Sequence, residues 1–254
     1  MVVYEALGFE LPKFYHVPMI HNENGKKLSK RDGATDVMDY KLMGYTPEAL
    51  LNFLVRLGWS HGDQEIFSMD EMLKLFNPKD INKSASIYNT EKLNWLSAHY
   101  IKNMSNDKLA TLLEEYGVML SSHDKKEIIL DAFKERAKTL KELADLVNEV
   151  LTSPESYDAK GMKKALKGNA MEVLSNFAKK VENAVELHLP SDYHSLMEAT
   201  VTEMEVGFGK IGQPLRMALM GKLSGPGLDD VMAIIGKDET LARIEALKIA
   251  TKES

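Results

Sequence analysis

Gly25-Lys26-Lys27-Leu28-Ser29-Lys30-Arg31-Asp32-Gly33 sets three lysines and an arginine in six consecutive positions between two glycines. Ammonium and guanidinium groups so close together converge on one small anion, and the glycines let the backbone turn around it. A triphosphate or pyrophosphate suits such a loop; a solvated basic surface loop is the competing reading. The K-L-S-K-R order lacks the G-x-x-x-x-G-K-[ST] arrangement of a rigid phosphate cradle. A lysine loop of this kind closes on phosphates as charge builds on a departing pyrophosphate, so its contact is strongest in the transition state.

Upstream, a short helical piece closes at Gly8, and Phe14-Tyr15-His16-Val17-Pro18-Met19-Ile20 is an aromatic and β-branched run suited to a strand. A strand this short needs partners, so the chain reads as starting inside a larger domain. Downstream, Thr46 and Pro47 supply an N-cap and first-turn proline for a helix carrying Ala49, Leu50, Phe53, Leu54 and Leu57 up to Gly58. Ser68 and Glu71 make a capping box for a second helix, which Asn77-Pro78 stops, and a third starts near Asn89-Thr90. From Ser105 onward the pattern is helix after helix, with a further capping box at Thr139 and Glu142 and helices expected over 160–186, 192–204, 213–220, 228–235 and 238–250. Trp59 and Trp95 both lie among leucines at helical spacing and are expected in the core.

The 254 residues, 44% hydrophobic, suffice for two or three compact units. No apolar run is long enough to span a membrane, and with no cysteine the chain is expected in the reducing cytoplasm. Absence of cysteine excludes thiolate zinc sites and cysteine nucleophiles, and the seven histidines include no H-x-x-x-H pair, so no metal site is expected. A net charge of −6 argues against indiscriminate coating of nucleic acid. Locally the balance reverses: Lys160, Lys163, Lys164, Lys167, Lys179 and Lys180 face one acid, Glu172, a segment able to meet phosphates or simply a solvated helix face.

The basic loop resembles the K-M-S-K-S signature of class I aminoacyl-tRNA synthetases in the form typical of glutamyl-tRNA synthetases. Gly44-Tyr45-Thr46-Pro47-Glu48-Ala49-Leu50-Leu51-Asn52, Leu57-Gly58-Trp59-Ser60 and Asn89-Thr90-Glu91-Lys92-Leu93 through Trp95-Leu96 resemble that family too, as do Gln213-Pro214-Leu215-Arg216 and Gly236-Lys237-Asp238-Glu239. No H-x-G-H signature of the Rossmann-like catalytic domain occurs, His61-Gly62 lacking the pattern. The resemblance implies a mainly α chain from the C-terminal part of a bacterial-type enzyme: a short β remnant of the catalytic domain (1–20), the signature loop and stem-contact domain (21–104), and two helical anticodon-binding subdomains (105–150 and 151–254). The helical tail separates it from the glutaminyl enzymes, which end in β-barrels.

For the whole protein the resemblance implies the ligase reaction: ATP, glutamate and tRNA(Glu) give glutamyl-tRNA, AMP and pyrophosphate, with Mg²⁺ accompanying ATP. Lys30 is then the expected α/β-phosphate contact. Lys27 and Ser29 shape the loop, Leu28 lies within it, and Arg31 is an auxiliary cation. The chain by itself is expected to bind tRNA as a monomer without aminoacylating it. Anticodon reading needs unstacked bases laid on planar or apolar groups and hydrogen-bonded at their edges, which arginine does well. The five arginines are 31, 56, 136, 216 and 243. The resemblance assigns Arg136 to the position at which discriminating enzymes read the wobble cytosine, Arg216 to one that meets the middle anticodon base, and Gly225-Pro226-Gly227-Leu228 to a segment packing on those bases. A surface ion pair from Arg136 to Glu135 or Asp131 is the alternative for that residue. For the chain as a whole the alternative is a stand-alone tRNA-binding or interaction protein derived from a synthetase.

Overall fold

Local start and stop signals account for many helix boundaries in the structure, a computed structural model that describes residues 1–29 and 36–252. The chain divides into two compact units, one of residues 1–103 with 138–140, the other of 104–137 with 141–254.

In the first unit, α1 (Val2–Leu7) ends at Gly8 in the left-handed conformation and buries no residue. The run expected as a strand contributes only β1 (Ile20–His21), which pairs in parallel with β2 (Ser86–Ile87). Residues 14–18 lie outside it because no described strand offers them a ladder, while the Met19 carbonyl accepts from the Ser86 amide at 2.9 Å; Phe14, Tyr15, Val17 and Met19 stay exposed. Helix α2 (Val37–Leu42) is opened by a reciprocal cap between Asp36 and Asp39. Helix α3 (Pro47–Gly58) begins where the Thr46 hydroxyl accepts from the Ala49 amide. The Ser68–Glu71 box opens α4 (Met69–Leu75), and α5 (Thr90–Asn103) follows β2.

The core here joins Tyr40, Tyr45, Leu50, Phe53, Leu57, Leu93 and Leu96, with a satellite of Trp59, Phe67 and Met72. Between them Asn52 is buried and satisfied: its side-chain amide donates to the Glu65 carbonyl at 2.9 Å, and its oxygen accepts from the Phe67 amide at 2.7 Å and the Tyr100 hydroxyl at 2.9 Å. Trp59 is 2% exposed, but Trp95 is 47% exposed. Trp95 lies on the outer face of α5 with the Lys92 ammonium 4.6 Å from its ring centroid, a cation–π contact in place of core packing.

The second unit is helical throughout its regular elements: α6 (Asn106–Glu114), α7 (Lys126–Phe133), α8 (Leu140–Leu151), α9 (Ala159–Ala165), α10 (Ala170–Asn183), α11 (Pro190–Glu203), α12 (Gly209–Met220) and α13 (Leu228–Lys252). The single helix expected over 160–186 is two, divided by Gly168 at a φ of 69°. Helix α12 starts four residues before the expected 213 and carries Pro214, itself buried, inside it. The two helices expected at 228–235 and 238–250 run as α13 with a break at Gly236, whose φ of 81° and ψ of 177° are not helical. Helix α13 packs against α7, α10, α11 and α12, and its buried face includes Val231, Met232, Ile234, Ile244 and Leu247.

Candidate nucleic-acid interface

Three cations placed on helix-end carbonyls organise the second unit. Arg243, 2% exposed, donates from Nη1 to the Leu219 carbonyl at 2.8 Å, from Nη2 to the Val150 carbonyl at 3.0 Å, and from Nε to Glu239 at 2.7 Å. It thereby ties the last carbonyls of α8 and α12, which lack intrahelical donors, to α13. Lys237 donates to the Glu182 and Ala184 carbonyls at the end of α10. Lys125, just before α7, donates to the Ala233 and Ile234 carbonyls at 2.9 and 3.1 Å, at the break in α13.

These ties position the loop after α12. Gly221, at a φ of 69°, ends the helix where an added Cβ would lie 2.6 Å from the Ser156 carbonyl oxygen, so only glycine fits. From α12 the half-buried Arg216 donates through Nη1 to the Pro226 carbonyl at 2.6 Å. Its guanidinium is pushed below its ordinary value, first by burial and then by the like charge of Arg136, with Asp229 opposing. Pro226 and Leu228 are both buried, and at this loop solvent meets Arg216 in part and the exposed Lys222, Ser224 and Gly225. The structure thus brings Arg136, Arg216, Pro226 and Leu228 into one neighbourhood.

Arg136 is exposed and lines a cleft of about 580 Å³ together with Ile128, Asp131, Ala132, Glu135, Pro190 and Asp230. Of the two acids considered as its surface partner, Asp131 is engaged by Lys134 at 2.7 Å and by the Asn106 amide at 3.1 Å. Asp230 is raised above the ordinary carboxylate range by burial and by Asp229, against the pull of Arg136. Asp229 in turn lies 3.6 Å from Nδ1 of His194. Asp229 and Asp230 were hidden in the sequence because two acids opening a helix look like favourable first-turn charges and nothing more.

Two arginines are taken by structure. Arg243 is the buried clamp, and Arg56 forms a bidentate pair with Glu65 at 3.2 and 3.0 Å. Among the lysines of the basic segment, Lys160, Lys163, Lys164, Lys167 and Lys179 are exposed, while Lys180 pairs with Glu203.

In the first unit the signature loop leaves β1 through a tight turn. The Asn22 amide donates to the Lys26 carbonyl at 2.7 Å, and the Gly25 amide to the Asn22 carbonyl at 2.9 Å. Lys27 bridges His21, and the Leu28 amide donates to the Ile20 carbonyl at 2.9 Å. Leu28 is half-buried, and Lys27 and Ser29 are exposed. Lys30 and Arg31 lie outside the described residues. Among the described residues no group of three or more His, Asp or Glu is placed to hold a metal ion. No described helix is long and apolar enough to cross a membrane.

The anticodon binding domain family matches residues 79–248, and the catalytic domain of class I tRNA synthetases (E and Q) matches residues 1–95. The chain is 71% identical over 246 residues to glutamate–tRNA ligase 1 of Sulfurimonas denitrificans and 69% identical over 247 residues to glutamate–tRNA ligase 2 of Nitratiruptor. Each match covers 97% of this chain and 53% of the relative, so the chain spans about half their length. Among solved structures it is similar to a glutamate tRNA ligase from Elizabethkingia meningosepticum, with a TM-score of 0.83, 31% identity, and coverage of 96% of this chain and 53% of the other. With two-thirds of its residues matched, the chain belongs to the anticodon binding domain family, its helices preceded by a segment of the class I (E and Q) synthetase catalytic domain.

Proposed function

We propose that this chain is the tRNA-binding part of a glutamate–tRNA ligase, with an anticodon surface that presents Arg136 and Arg216 over the buried Pro226 and Leu228, and a phosphate loop at its other end. The observation that carries the reading is the Arg216–Pro226 contact beside Arg136, inside the segment matched by the anticodon binding domain family. A guanidinium held on a loop carbonyl keeps its remaining N–H donors oriented for base edges, and exposed lysines on and after α9 supply phosphate contacts.

In the whole enzyme the reaction consumes ATP and glutamate, and the cations from Lys27 to Arg31 steady the departing pyrophosphate, with Lys30 on the α/β-phosphates. Such a contact supplies roughly 10²- to 10³-fold in rate. Lys30→Ala in a ligase carrying this segment should therefore depress pyrophosphate exchange by that factor while tRNA affinity holds; unchanged exchange removes Lys30 from the mechanism. The finer division at residues 20, 104 and 150, the monomeric state and a cytoplasmic location belong to the same reading.

The test is a titration of the 254-residue chain with tRNA(Glu), glutamine tRNA and an unrelated tRNA at stepped salt. Binding of tRNA(Glu) that weakens linearly in log salt and exceeds the unrelated tRNA is expected. Equal, salt-independent affinity for all three sinks the reading. Arg136→Gln should bring glutamate and glutamine tRNAs closer in affinity.

A further inference from the structure

Every anticodon base that is read must present its Watson–Crick edge to groups of complementary polarity. Cytosine offers one amino donor, N4–H₂, beside two acceptors, N3 and O2. A single arginine answers the two acceptors and leaves the amino group facing whatever lines the opposite wall. The cleft between α7 and the start of α13 has such a pair of walls. Arg136 stands at the end of α7, Asp230 in the first turn of α13, and Ile128, Ala132 and Pro190 give apolar surface between and around them. Its volume of about 580 Å³ falls within the range of sites for one small ligand. The Asp230 carboxylate is half-buried, beside Asp229 and within the field of Arg136, so a donor arriving there relieves repulsion instead of displacing a settled ion pair.

We propose that this cleft takes the edge of one anticodon cytosine, with Arg136 donating to N3 and O2 and Asp230 accepting from the N4 amino group, making Asp230 a specificity residue. The inference rests on the anticodon reading above. Carboxylates accept from cytosine N4 as a general mode of base recognition, whereas uracil turns O4, an acceptor, toward the same carboxylate. Asp230 therefore rejects uracil at O4, alongside Arg136, whose N–H donors meet the N3–H of uracil where cytosine has an acceptor; only Asp230 senses loss of the amino group by itself.

The experiment measures binding of the full chain to the anticodon stem-loop of tRNA(Glu), with each anticodon cytosine replaced in turn by uracil or by 2-pyrimidinone, which lacks only the amino group. At one position both replacements should weaken wild-type binding about 10- to 100-fold. Asp230→Ala should reduce the 2-pyrimidinone penalty to less than about threefold, while uracil keeps the penalty its N3–H meets at Arg136. Wild-type protein that binds 2-pyrimidinone as well as cytosine at every position overturns the proposal without any variant, and an Asp230→Ala protein that keeps the full 2-pyrimidinone penalty overturns it too. In both cases a preference for the native stem-loop over a scrambled hairpin leaves the anticodon reading standing. Absence of that preference in the wild type removes the anticodon reading, and this proposal with it.

Discussion

The first nineteen residues and helix α12 are similarly rich in large apolar side chains, yet they end in opposite states. Helix α1 has a clean left-handed stop at Gly8 and buries nothing, and Val2, Leu7, Phe9, Phe14 and Val17 are exposed. Helix α12 has no side-chain cap at its start and a proline inside, and it buries seven residues, from Ile211 to Met220. The end signals are alike, since neither helix has a side-chain cap at its start and both stop at a left-handed glycine; packing against α10 and α13 is what sets α12 apart, and it outweighs the internal proline. Stability in this molecule follows partners, and partners are unevenly distributed.

The contrast is sharpest at Arg243, so its removal should have the largest effect. Arg243→Ala strands the buried Leu219 and Val150 carbonyls, leaving Glu239 its Ser153 contact, and should cost about 2–4 kcal/mol in urea unfolding of the second unit. A loss under about 1 kcal/mol would mean that water replaces the clamp. Gly221→Ala should cost about 1–3 kcal/mol, through the positive φ and the approach to the Ser156 carbonyl. The first unit has a polar anchor of its own, with a smaller expected effect. The hydrogen bond from Lys92, then those from Arg56, hold the Glu65 carboxyl below its ordinary 4.5 despite the opposing effect of burial. That stabilisation is present above about pH 4.5 and is lost as pH falls through the lower folded value. Because Glu65 is more than one-third exposed, Glu65→Gln should remove under about 1 kcal/mol at pH 7 and flatten the acid side of the stability curve. Smallest of all, Phe9→Ser at a 64% exposed site should shift stability by less than about 0.5 kcal/mol. A larger drop would show that the N-terminal residues have packing partners after all, and would break the comparison.

The same division explains what could be read in advance. Thr46-Pro47, Ser68 with Glu71, and the stop before Asn77-Pro78 were legible because a cap needs only residues within one turn. Trp95 was not, since helical spacing among leucines says that a residue lies near a core-facing stripe without saying on which side of it. Residues 14–18 had strand composition but no ladder, and the helix expected from 213 begins at Gly209 because Ile211 is drawn into the core, a tertiary effect. Among site residues, the grouping of Arg136 and Arg216 came with the family resemblance. Asp230 did not, because its meaning depends on α7, about a hundred positions away, closing the other side of a cleft. The Arg243 clamp was hidden for the same reason, its partners lying 24 and 93 residues off.

The joint in α13 carries one more consequence, an evolutionary one. Lys125 closes the two carbonyls ahead of the break, and a Cβ at position 236 would stand 3.2 Å from its ammonium nitrogen. The break needs a glycine for its positive φ, and without the lysine it leaves carbonyls short of donors, so the lysine is of use only where the break exists. Positions 125 and 236 thus amount to a single inherited character written in two places. Lineages that drop the lysine are expected to straighten the helix, and the pair should covary across related sequences although 111 positions separate them in the chain.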